Sequence, residues 1–242
     1  MSRAAGALIV FEGAEGAGKS TQLRRLAARL DALGLPHHAV REPGGTALGD
    51  AVRNLLLDPA REIAPRAEAL LFMASRAELV QRELRPRLAA GEIVLVDRYF
   101  LSTYAYQVAG RGLPEAPVRA ANALATDGLV PDLTLLLELP VGEGLARAAA
   151  RGARDRMEGA GEPFHRRVAE AFAQFADPEW QRSHPEAGPV VSVDGAGDEA
   201  EVAARIDRTL VLRWPETFAP LLRSNTSLAG DHRDRRPLSS GS

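Results

Sequence analysis

Residues 11–21 read FEGAEGAGKST, and Gly13-Ala14-Glu15-Gly16-Ala17-Gly18-Lys19-Ser20 fits G-x-x-x-x-G-K-[ST] at every fixed position. Glycines at these points let successive backbone N–H groups curl around phosphate oxygens. A helix starting at the end of the loop adds the positive end of its dipole. Lys19 would reach the β- and γ-phosphates, the Ser20 hydroxyl would ligate Mg²⁺, and Thr21 follows in the same helix. Glu15 does not fit this picture, because it sets a carboxylate inside an anion cradle. At about 4–5 Å and an effective dielectric near 20, it opposes a phosphate charge by roughly 3–4 kcal/mol. A compensating cation must therefore come from elsewhere. Arg147, Arg151, Arg154 and Arg156 crowd one segment that also contains Gly152, Gly159 and Gly161. A flexible basic segment able to close over bound phosphates is a lid, and an arginine it delivers would neutralise charge on a phosphoryl group in transit. Glu15 would then orient that arginine.

The loop alone specifies nucleoside triphosphate binding and leaves a switch GTPase, an ATPase motor and a small-molecule kinase open. Other segments narrow the choice. Asp97-Arg98-Tyr99 follows the apolar run Ile93–Val96. An arginine at the carboxyl end of a strand can grip phosphate bidentately, and the carboxylate beside it can organise Mg²⁺ waters. In LLFMASR (Leu70–Arg76), Phe72 and Arg76 lie four apart and share a helix face. That face offers an aromatic plate for a base and a guanidinium for a carbonyl, although an aromatic there also suits a core. REPGGT (Arg41–Thr46) is a charged turn in which Gly44 and Gly45 permit close approach.

The elements that must position these residues follow from apolar patterning. Ala7–Phe11, His37–Val40, Ile93–Val96, Leu133–Leu139 and Val190–Val193 are short runs that suit buried parallel strands. Leu23, Leu26, Ala27, Leu30 and Leu33 keep helical spacing up to Gly34, and helical spacing returns from Ala67 to about Ala90, with Pro86 a break. Strands alternating with helices predict an α/β fold with a doubly wound parallel sheet of about five strands. From about Arg213 the pattern fades, so residues 1–212 read as one domain and 213–242 as a disordered tail. A chain of 242 residues with 45% hydrophobic and 26% charged residues can bury a sizeable core. A net charge of −2 gives no general pull toward nucleic acid or acidic membranes, so any bound anion is held by a local cluster. Zero cysteines fit a reducing cytoplasm, no stretch approaches a membrane span, and the five histidines form no metal-spaced set.

Taken together and in this order, FEGAEGAGKST, REPGGT, LLFMASR, DRYFLSTYAYQ and RGARDR resemble thymidylate kinase, over roughly Leu8 to Leu212. The acidic phosphate loop paired with an arginine-rich lid is similar to the bacterial subtype. The resemblance implies a P-loop kinase that uses Mg²⁺ and ATP to phosphorylate dTMP for dTTP synthesis, as a cytoplasmic homodimer with no nucleic acid or membrane partner. On the donor side it implies Gly13 through Thr21 together with Arg147, and Ser20 and Asp97 for the metal. On the acceptor side it implies Glu12 as a substrate-binding residue, and Arg41 and Arg98 near the monophosphate. Pro43 and Phe72 would lie against thymine, with Arg76 on its O4. Thr103, Tyr106 and Gln107 would line base and deoxyribose, the Tyr106 ring leaving no room for a 2′-hydroxyl. The catalytic set so implied is Lys19, Asp97, Arg98, Glu15 and Arg151, with Arg147 and Arg156 assisting. The rival readings are a different nucleotide or nucleoside kinase, and a nucleotide-dependent switch that takes no acceptor.

Overall fold

The computed structural model describes residues 6–150 and 155–228. Its centre is a parallel sheet of β1 (Ala7–Glu12), β2 (His37–Arg41), β3 (Ile93–Asp97), β4 (Leu133–Glu138) and β5 (Val190–Asp194), ordered β2-β3-β1-β4-β5. All five apolar runs of the sequence are strands. The three central strands, β3, β1 and β4, are covered on both faces and buried along nearly their whole length, whereas the edge strands β2 and β5 keep exposed residues such as Ala39 and Val191. In β1, Leu8 and Val10 enter one core while Ile9 and Phe11 enter the other, and β3 divides Val94 and Val96 from Ile93 and Leu95 in the same way.

The helices are α1 (Lys19–Ala32), α2 (Ala47–Leu57), α3 (Pro65–Leu79), α4 (Arg85–Ala89), α5 (Phe100–Thr103), α6 (Glu115–Thr126), α7 (Val141–Ala149), α8 (Glu162–Gln174), α9 (Pro178–Ser183), α10 (Glu199–Arg213) and α11 (Pro215–Leu228). Leu23, Leu26 and Leu30 of α1, with Ile206 and Leu210 of α10, seal one face of the sheet. Leu79 of α3, Tyr99–Tyr106, and Phe164, Val168 and Phe172 of α8 seal the other. β1 therefore runs into a helix on one face while its neighbour β3 runs into a helix on the opposite face. That arrangement opens a crevice at their carboxyl ends. Register aligns the ends, with Phe11 beside Asp97 and Asp97 beside Arg41. The phosphate loop and both charged turns thus leave the sheet at one level.

Two expectations need correction. The chain stays helical from Ala67 to Ala89, but the break expected at Pro86 falls earlier, after Leu79. A wide π-type turn over Val80–Leu84 follows, and Pro86 sits in the first turn of α4, where a missing N–H is harmless. The region beyond Arg213 is not irregular throughout. Residues 215–228 form α11, whose Phe218 and Leu221 are fully buried in the core shared with α1 and α10. The Leu221 carbonyl accepts from Arg29 at 3.0 Å, which ties α11 to α1. Residues 229–242 lie outside the described residues. Among the described residues, no helix is long and apolar enough to cross a membrane.

Candidate active site

The phosphate loop joins β1 to α1, and its backbone demands the glycines. Gly16 has φ 74°, and a Cβ there would lie 2.0 Å from the Gly144 carbonyl oxygen of α7, so both the angle and the space exclude a side chain. Gly18, at φ 90°, caps α1 without any side-chain hydrogen bond. The first N–H groups of the helix are therefore left to an anion. Lys19 is buried and donates to the carbonyls of Gly13 at 2.9 Å and Ala14 at 2.7 Å. Burial first, then the Arg98 guanidinium, brings its pKa down to about 7 despite Asp97, Glu15 and Glu12. Ser20 donates its hydroxyl proton to the Asp97 carboxylate, so two hard oxygen donors meet at the mouth of the loop.

The turn after β3 is held by a residue of β1. Glu12 is fully buried, and its carboxylate accepts from Tyr99 N–H at 2.7 Å, Ser102 N–H at 3.0 Å and the Ser102 hydroxyl at 2.7 Å. It caps α5 from another strand. Glu12 is not among the residues lining the cleft; it stands behind Arg98 and holds the turn that carries it. Arg98 sits at φ 74°, a region few non-glycine residues adopt. Its guanidinium donates to Ser102 Oγ at 3.1 Å and lies 5.0 Å above the Tyr106 ring. Burial opposes its charge, but Tyr106, Glu15, Asp97 and Glu12 together outweigh burial and push its pKa above the ordinary value.

A cleft of about 920 Å³ runs from Gly16, Gly18, Lys19, Ser20 and Thr21 past Asp97 and Arg98 to Arg41, Pro43, Phe72, Arg76, Thr103, Tyr106 and Gln107. On the acceptor side, Arg41 comes from β2, Pro43 from the turn after it, Phe72 and Arg76 from α3 and Thr103 from α5, and the second π-type turn, Tyr104–Gly110, presents Tyr106 and Gln107 on its wider spiral. Arg53 of α2 joins them, although the sequence reading overlooked it. It donates to the Pro43 carbonyl at 3.1 Å, and burial followed by the like charge of Arg41 lowers its pKa. Its signal was present in the sequence, since it lies four residues beyond Gly49 on one helix face. Ser102, Asp155 and Glu158 were also overlooked.

Arg76 is more committed than expected. It is 2% exposed, and its Nε donates to Glu42 at 2.7 Å. Its terminal nitrogens serve Thr103 Oγ1 and the Tyr99 carbonyl, both at 2.8 Å, as well as Asn122 Oδ1 and Glu42 again. Four hydrogen bonds and an ion pair thus engage the group on every nitrogen, and a bond to a base would compete with these partners.

Arg151 and Arg154 lie outside the described residues. The described residues on either side of them meet at Glu15. Gly144 of α7 approaches the Glu15 carbonyl so closely that a Cβ would stand 2.5 Å from it, and the Glu15 carboxylate is near enough to Glu158 for its charge to act on it. Burial, then the Glu15 charge, pushes the Glu158 carboxyl up. Arg147 is not brought to the cleft; it is exposed on α7, 3.9 Å from Glu143. Arg156 is anchored rather than poised for the phosphates, donating to the Leu56 carbonyl and pairing with buried Glu68, both at 2.7 Å.

Comparison with known proteins agrees with this geometry. The family profile described as thymidylate kinase matches residues 11–185. A thymidylate kinase of Deinococcus radiodurans is 55% identical over 177 residues, covering 73% of this chain and 86% of that one. One from a Synechococcus strain is 47% identical over 209 residues, covering 86% and 95% respectively. A crystal structure of thymidylate kinase from Ehrlichia chaffeensis superposes with a TM-score of 0.65 at 29% identity, covering 84% of this chain and 97% of that one. The chain belongs to the thymidylate kinase family.

Proposed function

We propose that this protein transfers the γ-phosphoryl group of ATP to the 5′-phosphate of dTMP, giving dTDP and ADP. An oxygen of the acceptor monophosphate forms the new P–O bond as the bond from γ-phosphorus to the β,γ-bridging oxygen breaks, and ADP leaves with that electron pair. Four negative charges on ATP and two on dTMP become three on each product, so the dianionic acceptor needs no general base. Catalysis then rests on positioning and charge neutralisation. Lys19 and the loop N–H groups hold the donor phosphates, Arg41, Arg53 and Arg98 hold the acceptor phosphate, and Phe72, Thr103, Tyr106 and Gln107 enclose the nucleoside. The observation that carries this reading is geometric: Lys19, Arg41, Arg53 and Arg98 all line one cleft, and like charge adds to burial in lowering the pKa of Lys19 and Arg53. Such a group is relieved by polyanions on both sides of Arg98.

Ser20 and Asp97 fit Mg²⁺, which takes oxygen ligands and commonly only one or two protein donors beside substrate phosphates. When bound, the ion would neutralise charge on the donor phosphates. Arg151 serves as the arginine that neutralises the moving phosphoryl group, with Glu15 as its orienting carboxylate. The convergence of both flanking stretches on Glu15 supports this assignment. The enzyme acts in the cytoplasm as a homodimer. Support for the dimer comes from Leu48 and Leu55 on α2, Leu70 on α3 and Leu124 on α6, exposed on helices that pack side by side.

The test is ATP turnover in a coupled assay with dTMP, dUMP, dCMP, thymidine or no acceptor. Turnover that requires dTMP and ranks it first is expected. Equal turnover without any acceptor would support the switch reading, and a different first-ranked acceptor would support another kinase.

A further inference from the structure

Glu68 of α3 is a fully buried carboxylate that the transfer chemistry does not use, and it carries four hydrogen bonds or ion pairs from three residues. Arg111 reaches it through Nε at 3.1 Å and a terminal nitrogen at 2.9 Å, and Arg156 at 2.7 Å. The remaining donor is Gln107, whose Nε2 lies 3.1 Å from Glu68 Oε1. A carboxylate clamped by two guanidiniums can only accept, so it dictates which end of the Gln107 amide it meets. The NH₂ group turns inward to Glu68. Oε1 turns the other way, takes no hydrogen bond from any described residue and is not sealed from the cleft that Gln107 lines.

We propose that Glu68 is a positioning residue for base selection, locking the Gln107 amide so that only its carbonyl oxygen faces the acceptor base. A carbonyl there accepts from the imide N3–H of thymine or uracil. It opposes the N3 lone pair of cytosine, where a freely turning amide would satisfy either base. A site built to hydrogen-bond one group rejects a base lacking it because buried polar atoms are then left unpaired. Arg111 and Arg156 belong to the device, since they hold Glu68 ionised. Burial alone would raise its pKa, but their hydrogen bonds hold it below the ordinary glutamate value. This inference rests on the acceptor reading above, in which the base lies against Gln107.

The test is Glu68→Gln in the full chain, with kcat and KM measured for dTMP, dUMP and dCMP. An amide at position 68 can donate as well as accept, which frees Gln107 to turn. The expected result is a fall of about tenfold in kcat/KM for dTMP, carried by KM, with dUMP falling in parallel and the preference over dCMP narrowing to match. The KM for ATP stays within about twofold of its original value, which a general structural defect would not allow. An unchanged preference over dCMP in a folded Glu68→Gln protein overturns the proposal. If that variant does not fold, Gln107→Leu carries the test, and full retention of the dTMP preference there overturns it equally. The two readings fail separately. Unchanged dTMP KM in Gln107→Leu removes the base from this part of the cleft. Loss in Gln107→Leu beside an intact preference in Glu68→Gln removes only the role of Glu68.

Discussion

Replacing Glu12 by glutamine separates a residue that touches substrate from one that shapes the residues that do. The carboxylate holds two backbone N–H groups and one hydroxyl, all buried, at 2.7–3.0 Å. Hydrogen bonds to a charged group contribute about 1.5–3 kcal/mol each and neutral ones about 0.5–1.5. Glutamine keeps a carbonyl for Tyr99 and Ser102 N–H, losing about 1 kcal/mol on each, and it has no second acceptor for the Ser102 hydroxyl, losing about 2 kcal/mol of a charged hydrogen bond. A total near 4 kcal/mol lowers the melting temperature by about 8–16 °C for a domain of this size. The same loss frees the turn that holds Arg98 at φ 74°, so the KM for dTMP rises about tenfold while that for ATP is little changed. Calorimetry and initial-rate kinetics on one preparation give both numbers. A raised dTMP KM with unchanged melting would refute the reasoning, because Glu12 would then act on substrate directly.

Further tests address the donor side, the lid and the acid limit. Lys19 has a pKa brought down to about 7 in the free protein and must be charged to meet phosphate, so ATP binding takes up a proton as pH rises above 7. Calorimetric titrations at pH 8 in buffers of different ionisation enthalpy are expected to give an uptake approaching one proton, and Lys19→Met abolishes it. Arg151→Ala is expected to lower kcat by about 10³-fold or more with little change in dTMP KM, and unchanged kcat rejects that assignment. Glu68 has a folded pKa below its unfolded value. Its contribution to stability is complete above the ordinary glutamate pKa and is lost as pH falls through the folded pKa. Urea melts between pH 6 and pH 3 are expected to show that loss, and Glu68→Gln shows a shallower acid slope.

Parts of the molecule that depend on neighbours in sequence were legible from sequence. The three central strands were plainest, because a parallel strand covered on both faces reads as an uninterrupted hydrophobic stretch, while the edge strands β2 and β5 came from shorter, more polar runs. The phosphate loop was equally plain, since its glycines, lysine and serine act within one turn of chain. Features that depend on distant partners were hidden. α11 buries Phe218 and Leu221 and leans on Arg29 of α1, so its own sequence looks too polar to fold. Neither π-type turn has a local signature. Glu42 and Glu68 resemble any other acidic residue until their partners, Arg76 and Arg111, are brought in from other elements, and Glu12, placed at the site by resemblance, gives no local sign that it holds the turn at Ser102.

The central claim is that one continuous cleft holds donor and acceptor phosphates on either side of Arg98. A crystal structure with adenosine and thymidine joined through a chain of phosphates tests it directly. The account predicts phosphates in the Gly13–Ser20 loop at one end and the thymine ring against Phe72 and Gln107 at the other. Arg98 should stand at the junction, with an arginine of segment 147–156 beside it. Thymine bound elsewhere, or a junction that Arg98 does not touch, would contradict it.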